Sequence, residues 1–130
     1  MAKKSGRVTE VFIDGSGGQA GVKSGFAWLI PGVAAKVQWI SGLTCNEAEY
    51  RALLSAVAAL PKGSQAVVKS DSLLVVNQYS GKYKVHDQKM EILLARTKAT
   101  ISARNLRIDL RWIDRKENQA DALLRRRIGL

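Results

Sequence analysis

The sequence has few of the residues that build metal or nucleophile sites from sulfur and nitrogen. Its 130 residues include one cysteine, Cys45, and one histidine, His86. A single cysteine excludes an internal disulfide framework and a cysteine-rich zinc site, and it fits a reducing cytosol, so we expect a cytoplasmic protein. His86 is the one base of its kind available to a serine or cysteine nucleophile. Nothing in the sequence places it beside one, which argues against a hydrolytic triad.

Long hydrophobic segments are also missing. No apolar run reaches the roughly 20 residues that a membrane-spanning helix needs. The N-terminal segment MAKKSGR is basic but leads into VTEVFID, which has the pattern of a strand and not of a signal peptide. Without a repeat, linker or low-complexity tract, residues 1–130 are expected to form a single globular domain around one core.

Acidic residues are fewer than basic residues. The chain has 21 Lys and Arg against 11 Asp and Glu, which gives a formal net charge of +10. Such a surface suits an extended polyanion, and nucleic acid is the leading candidate. Membrane binding would need a basic amphipathic helix, whereas the basic residues here are spread along the chain. We therefore expect no membrane association, and no protein partner is required.

Hydrophobic periodicity and turn residues divide the chain into nine elements. Pro31 and Gly32 mark a tight turn between two strands, and Pro61 ends the first helix. Asn46, with Glu49 three residues later, is the expected N-cap of that helix. The predicted strands are residues 7–14, 24–32, 33–42, 65–71 and 106–114, and the predicted helices are 46–60, 72–81, 87–103 and 119–128.

This order of elements predicts an α/β fold. Three strands in succession indicate an antiparallel meander, and the alternation of helices and strands that follows indicates parallel crossovers. The two patterns together predict a mixed sheet with helices on its faces.

Four acidic residues occupy positions where an ordinary surface charge is not expected. Asp14 and Asp71 end the first and fourth strands, Glu49 lies on the apolar stripe of the first helix, and Asp121 opens the last helix. Each has an ordinary alternative. Asp14 could form an Asx turn, Glu49 could complete a capping box, and either remaining aspartate could cap a helix. The joint appearance of all four favours a site.

The carboxyl ends of strands are where ligands gather in open sheets with helical crossovers. If the first and fourth strands are adjacent and parallel, Asp14 and Asp71 come within one strand spacing, roughly 4.8 Å. Two carboxylates that close repel each other unless a cation lies between them. Because the available ligands are oxygens, the expected cation is Mg²⁺ or Mn²⁺.

The glycine-rich segment GSGGQAGVKS suggests a different kind of site, a phosphate-binding loop. That loop requires Gly-Lys-Ser or Gly-Lys-Thr, whereas this segment has Gly-Val-Lys-Ser. The segment also leads into a strand, GFAWLIPG, where a phosphate-binding loop must open a helix. We therefore reject a nucleotide-binding loop, and the dinucleotide fingerprint fails for the same reason.

Four segments carry a resemblance to a known family: FIDGSGG, LTCNEAEYRALLSAVAAL, VKSDS and ENQADALL. From residue 7 to residue 125 the chain resembles the type 1 ribonuclease H family in its compact archaeal and bacterial form. The resemblance implies the ribonuclease H-like fold, with a five-stranded mixed sheet in the order 3-2-1-4-5. It also implies hydrolysis of the RNA strand of RNA-DNA hybrids, leaving 5′-phosphate and 3′-hydroxyl ends. It places Asp14, Glu49, Asp71 and Asp121 on the metal-binding carboxylates.

The mechanism that the resemblance implies uses two divalent ions with the scissile phosphate between them. One ion lowers the pKa of the attacking water and the other stabilises the leaving 3′ oxygen. Asp14 is central and is the expected bridging ligand. Hybrid geometry is recognised through phosphates and 2′-hydroxyls, and binding is expected to weaken with salt. The implied substrate-binding residues are Gly15, Ser16, Thr44, Cys45, Asn46 and Ser72.

The chain departs from the family pattern in several places, two of which concern the proposed site residues. Cys45 stands where the family commonly has asparagine. In ENQAD, the spacing from Asn118 to Asp121 is one residue shorter than is usual in the compact forms. Helix phasing favours Asp121 as the fourth ligand, and Asn118 is the alternative. Because this loop lacks a histidine, Arg115 or Lys116 is expected to assist product release, with Arg115 preferred.

Two other functions compete with the hybrid endoribonuclease. A ribonuclease-H-like binding module would keep the basic surface without efficient chemistry, and a DNA-directed nuclease or transposase-like relative would act on a different duplex. Retention of all four carboxylates argues against the first. The short chain and the motif NEAEYRAL argue against the second.

Overall fold

The structure is a computed structural model, which describes residues 7–17 and 23–127. The predicted domain of residues 1–130 therefore extends beyond the described residues at both ends. Ile128 of the predicted last helix and residues 18–22 of the glycine-rich segment also lie outside the described residues. The five strands are β1, Thr9–Ser16; β2, Gly25–Ile30; β3, Ala34–Trp39; β4, Gln65–Ser70; and β5, Arg107–Trp112. The four α-helices are α1, Cys45–Ala59; α2, Leu73–Tyr79; α3, Gln88–Ala103; and α4, Gln119–Arg127.

The strands form one mixed sheet in the order β3-β2-β1-β4-β5. Strands β1, β2 and β3 are antiparallel, whereas β4 runs parallel to β1 and β5 parallel to β4. The meander turns tightly at Gly32, where φ is +75° and Val33 N–H donates to the carbonyl of Ile30 at 2.9 Å. This confirms the predicted α/β fold, the strand order and the parallel pairing of the first and fourth strands.

Alternation along the central strand β1 supplies both faces of the sheet. Val11 and Ile13 belong to the larger core, which lies beneath α1, and Phe12 belongs to the smaller core beneath α4. The larger core also takes residues from α3, including Met90 and Leu93. Since β1 is buried on both faces from Val11 to Gly15, the side chain of Asp14 lies within the packed interior.

Helix α1 begins one residue earlier than predicted, and its N-cap is Thr44 and not Asn46. The Thr44 hydroxyl accepts the Glu47 N–H at 3.1 Å, and Glu47 accepts the Thr44 N–H at 3.0 Å, which completes a capping box. The predicted box of Asn46 and Glu49 is therefore wrong. The physical reason is that Glu49 faces the sheet, where its carboxylate has other partners.

Other elements also begin or end at residues that differ from the predicted ones. Strand β1 continues to Ser16, so Asp14 lies inside the strand and pairs with Ala27 of β2, whereas Asp71 directly follows β4. A short 3-10 turn at Arg115–Glu117, absent from the predicted elements, precedes α4. Among the described helices, none is long and apolar enough to cross a bilayer.

Candidate metal centre

The parallel pairing of β1 and β4 brings two of the predicted carboxylates to the same edge of the sheet. Ile13 of β1 pairs with Ser70 of β4. The next residues along the two strands are Asp14 and Asp71. Because the strands run in the same direction, both acids project at the carboxyl edge, as the sequence predicts.

The third carboxylate reaches this edge because α1 crosses β1 in direct contact at Gly15. A Cβ built on Gly15 would lie 2.4 Å from backbone atoms of Ala48 and Glu49, so no other residue fits between helix and strand. The Gly15 N–H donates to Oε2 of Glu49 at 3.0 Å. Strand and helix are therefore joined at the point where Glu49 meets Asp14.

Asp14, Glu49 and Asp71 form one compact cluster of oxygens. Each offers a carboxylate oxygen, and these three atoms lie within 4.8 Å of one another. Asp14 is 5% exposed and Glu49 is 3% exposed, while Asp71 lies at the open side of the cluster. Three carboxylates so placed must either hold protons or share a cation.

The pKa values reflect this crowding. Burial raises the pKa of Asp14 far above its ordinary value, and the negative charges around it raise the pKa further. Burial also raises the pKa of Glu49, although hydrogen bonds to its carboxylate partly oppose the rise. The pKa of Asp71 is raised by burial and lowered in part by the hydrogen bond from Asn118 and by the charge of Arg115.

Asp121 lies beside this cluster but outside the set of three. Its negative charge contributes to the raised pKa values of Asp14 and Asp71. It is largely buried, and one of its oxygens lies 3.6 Å from the guanidinium of Arg125, one helical turn later. Of the four acids predicted from the sequence, three are thus brought together, and the fourth is near enough to act on two of them through its charge.

Asn118, the alternative fourth ligand, has its amide fully engaged. Its Nδ2 donates to the carbonyl of Ile13 at 2.9 Å and to Oδ2 of Asp71 at 3.0 Å. Its Oδ1 accepts the Ala120 N–H at 3.0 Å and so caps α4. The Ile13 carbonyl can only accept and the Ala120 N–H can only donate, which fixes the orientation of the amide. The oxygen that would bind a cation is therefore occupied by the helix cap.

The predicted substrate-binding residues surround the cluster on three sides. Gly15 and Ser16 end β1, and Cys45 and Asn46 open α1 after the capping residue Thr44. Cys45 is exposed, its Sγ lies 3.8 Å from the Gly15 carbonyl, and burial together with the nearby carboxylates raises the pKa of its thiol.

On the remaining sides are the start of α2 and the 3-10 turn. Ser72 caps α2, where its hydroxyl accepts the Val75 N–H at 3.3 Å. Arg115 is exposed, and its positive charge lowers the pKa of both Asp71 and Cys45. The predicted assisting residue therefore acts on the cluster through its charge.

Two residues beside the cluster were not predicted from the sequence. Ser70 is buried directly before Asp71, and the half-exposed Trp112 donates its indole N–H to the Asp71 carbonyl at 3.2 Å. The sequence could have indicated Ser70, because it is a polar residue at the end of the otherwise apolar face of β4. It could not have indicated Trp112, since the hydrogen-bond partner of Trp112 belongs to a different part of the chain.

The cluster fits a hard divalent cation. All its donors are carboxylate oxygens, two of them are almost fully buried, and their mutual repulsion is relieved by a bound positive charge. Asp14, Glu49 and Asp71 are the residues that would hold it.

Comparison with known proteins identifies the family. A family profile described as reverse transcriptase-like matches residues 13–126. The N-terminal RNase H domain of Rv2228c from Mycobacterium tuberculosis, solved as a fusion with maltose-binding protein, is 30% identical, with a TM-score of 0.72. The match covers 91% of this chain and 92% of that one. The chain therefore belongs to the reverse transcriptase-like family, and its likeness to type 1 ribonuclease H is confirmed.

Other solved structures have the same fold. LC11-RNase H1, isolated from compost by a metagenomic approach, is 26% identical with a TM-score of 0.81, over 92% of this chain and 94% of that one. A second structure of LC11-RNase H1, in complex with an RNA/DNA hybrid, matches at 24% identity and a TM-score of 0.80, over 91% and 94% of the two chains. A search of the curated proteins gives no match.

Replacing Asp14 with Asn is expected to stabilise the protein in EDTA. Because the folded-state pKa of Asp14 is raised above its unfolded value, its contribution to stability is fully present below about pH 4 and is lost as the pH rises. Asn does not titrate, so the gain in the free energy of unfolding over the wild type grows with pH. The gain rises by about 1.4 kcal/mol for each pH unit between the ordinary pKa and the raised pKa of Asp14. Urea denaturation at several pH values measures it.

Asp109→Asn is the matched control, because Asp109 is exposed and pairs with Arg111 at 2.7 Å. This variant is expected to show no such gain. Added Mg²⁺ should narrow the difference between Asp14→Asn and the wild type. An Asp14→Asn protein that is less stable than the wild type at pH 8 in EDTA would contradict the account of the cluster.

Proposed function

We propose that the protein is an endoribonuclease that hydrolyses the RNA strand of RNA-DNA hybrids. The observation that carries the proposal is the convergence of Asp14, Glu49 and Asp71 within 4.8 Å at the carboxyl edge of a ribonuclease H-like sheet. The chain has a net charge of +10 and yet keeps three acids close together. Repulsion among these carboxylates lowers the stability of the fold. Binding alone does not need that arrangement, whereas metal-dependent hydrolysis does.

Mg²⁺ is the proposed cofactor, with Mn²⁺ as a substitute, because both prefer oxygen ligands. A bound divalent cation supplies positive charge that neutralises the carboxylates and the phosphate and lowers the pKa of water. The residues that would hold it are the three clustered acids, with Asp121 as the fourth. Two ions per site, a bridging role for Asp14, and products with 5′-phosphate and 3′-hydroxyl ends are parts of the same proposal.

The neighbouring loops are suited to a nucleic-acid backbone. Thr44 and Ser72 each use the hydroxyl oxygen to cap a helix, which leaves the hydroxyl proton free to donate to a phosphate or a 2′-hydroxyl. Cys45 and Asn46 follow Thr44 in the first turn of α1. The complex of LC11-RNase H1 with an RNA/DNA hybrid supports a hybrid as the substrate.

Arg115 and Asn118 have supporting roles in this proposal. The positive charge of Arg115 lowers the pKa of Asp71, and in this proposal it assists the departure of the product phosphate. Asn118 fixes Asp71 and the carbonyl of Ile13 through its amide. The predicted cytoplasmic location stays a prediction.

The alternative function is a nucleic-acid-binding module with weak or lost catalysis. The compact carboxylate cluster does not favour it, since such a cluster is not needed to hold a phosphate backbone. Only a cleavage assay separates it from the enzyme.

Wild-type protein with Mg²⁺ or Mn²⁺ is expected to cleave labelled RNA in an RNA-DNA hybrid and to leave RNA duplex and DNA duplex intact. Asp14→Asn should abolish cleavage because it removes a central carboxylate, while hybrid binding measured by fluorescence anisotropy persists. Asp109→Asn, which changes an exposed aspartate elsewhere, should cleave like the wild type. Binding of hybrid without cleavage would overturn the enzyme proposal, and cleavage of duplex DNA would favour the DNA-directed nuclease.

Asp121→Ala and Asn118→Ala are expected to separate the fourth ligand from the residue that orients Asp71. Asp121→Ala should lower kcat by more than about 100-fold, beyond the usual effect of losing a residue that orients a ligand. Asn118→Ala should lower kcat by about 10- to 100-fold and also cost about 1 kcal/mol of stability through the lost helix cap. Rates and urea denaturation of both variants provide the comparison. A larger loss of rate in Asn118→Ala would assign the fourth position to Asn118 instead.

A further inference from the structure

Ser70 is a fully buried hydroxyl at the last position of β4, with 0% of its surface exposed. The other residues of β4 on that face, Ala66 and Val68, are apolar and pack in the core beneath α1. A buried hydroxyl without partners costs free energy, so its hydrogen bonds account for its presence in an apolar position.

The partners of Ser70 determine where its proton points. Its Oγ accepts the backbone N–H of Ser72 at 3.0 Å and lies 3.4 Å from Oε1 of Glu49. The Ser72 N–H can only donate, and the Glu49 carboxylate can only accept. The single hydroxyl proton of Ser70 is therefore directed at Glu49.

Glu49 is then held at both of its oxygens. Oε2 accepts the Gly15 N–H at 3.0 Å from β1, and Oε1 accepts the hydroxyl of Ser70 from β4. A carboxylate fixed at one oxygen can rotate about that bond, whereas one fixed at both has a set plane. Ser70 also pairs with Ile13 in β1, so it lies at the centre of the edge that carries Asp14 and Asp71.

We infer that Ser70 is a positioning residue of the carboxylate site, whose hydroxyl fixes the plane of Glu49 and couples it to the start of α2. The inference deepens the proposed function and rests on the carboxylates being a cation site. Ser70 is too buried to touch a substrate, so it acts on the cation site through Glu49. Its effect belongs to cation affinity and turnover and not to binding of the hybrid.

The test is Ser70→Ala, compared with Ser70→Thr and with the control Thr97→Val. Thr97 is equally buried, and its hydroxyl donates to the Leu93 carbonyl within α3 at 2.8 Å. Thr97→Val therefore removes a buried hydroxyl away from the carboxylates. Titration calorimetry with Mn²⁺ in the absence of nucleic acid is the first readout, and kcat and KM for the hybrid are the second.

Ser70→Ala is expected to weaken Mn²⁺ binding and to lower kcat by about 10- to 100-fold each, with the KM for hybrid unchanged. Ser70→Thr keeps the hydroxyl and should recover most of both, and Thr97→Val should match the wild type in both. If Ser70→Ala does not fold, Ser70→Cys keeps a donor at the same position, on a larger atom and with a weaker hydrogen bond, and should bind Mn²⁺ less tightly than the wild type.

A folded Ser70→Ala or Ser70→Cys protein that binds Mn²⁺ as tightly as the wild type would overturn the inference. So would an equal loss in Thr97→Val, because the effect would then be one of general stability. The calorimetry also separates the two proposals. If the wild type binds Mn²⁺ but does not cleave hybrid, the proposed function fails, while the role of Ser70 is still decided by the binding data.

Discussion

The direct contact between helix α1 and strand β1 at Gly15 is the constraint on which the site depends. With a Cβ position only 2.4 Å from the backbone of Ala48 and Glu49, the helix lies against the strand without an intervening side chain. Glu49 is carried into the sheet edge by this approach, and Glu47, two residues earlier, is free to complete the capping box with Thr44. The same short segment therefore fixes the start of the helix and delivers a carboxylate to the site.

The electrostatics of the cluster follow from that packing. Burial raises the pKa of Asp14, and the adjacent acids raise it further. The surrounding groups reduce the repulsion only in part. Gly15 and Ser70 donate to Glu49, Asn118 donates to Asp71, and Arg115 brings a positive charge to the rim. These donors fix the carboxylates in place without neutralising them, which is the state that a divalent cation would relieve. The basic surface has a separate role, which is to attract the polyanion on which such a site would act.

Much of the fold could be predicted from local sequence. The mixed sheet followed from a meander and a crossover helix, whereas the strand order, and with it the meeting of Asp14 with Asp71, was implied by the family resemblance. The N-cap could not be predicted, because Thr44 and Asn46 both precede the apolar run with a glutamate three residues later. Only the tertiary contact that occupies Glu49 decides between them. The role of Asn118 could not be predicted either, since its hydrogen-bond partner Ile13 lies 105 residues away in sequence. Its engagement with a strand and a helix cap appears only when the chain is folded.

The central claim is that Asp14, Glu49 and Asp71 form a cation site, and anomalous diffraction from crystals grown with Mn²⁺ tests it most directly. Data collected on the low-energy side and the high-energy side of the manganese absorption edge would locate the metal without reference to activity. The account predicts an anomalous peak among the oxygens of these three residues, absent from crystals of Asp14→Asn. Crystals of the wild type that bind Mn²⁺ elsewhere, with no peak at the three carboxylates, would contradict it.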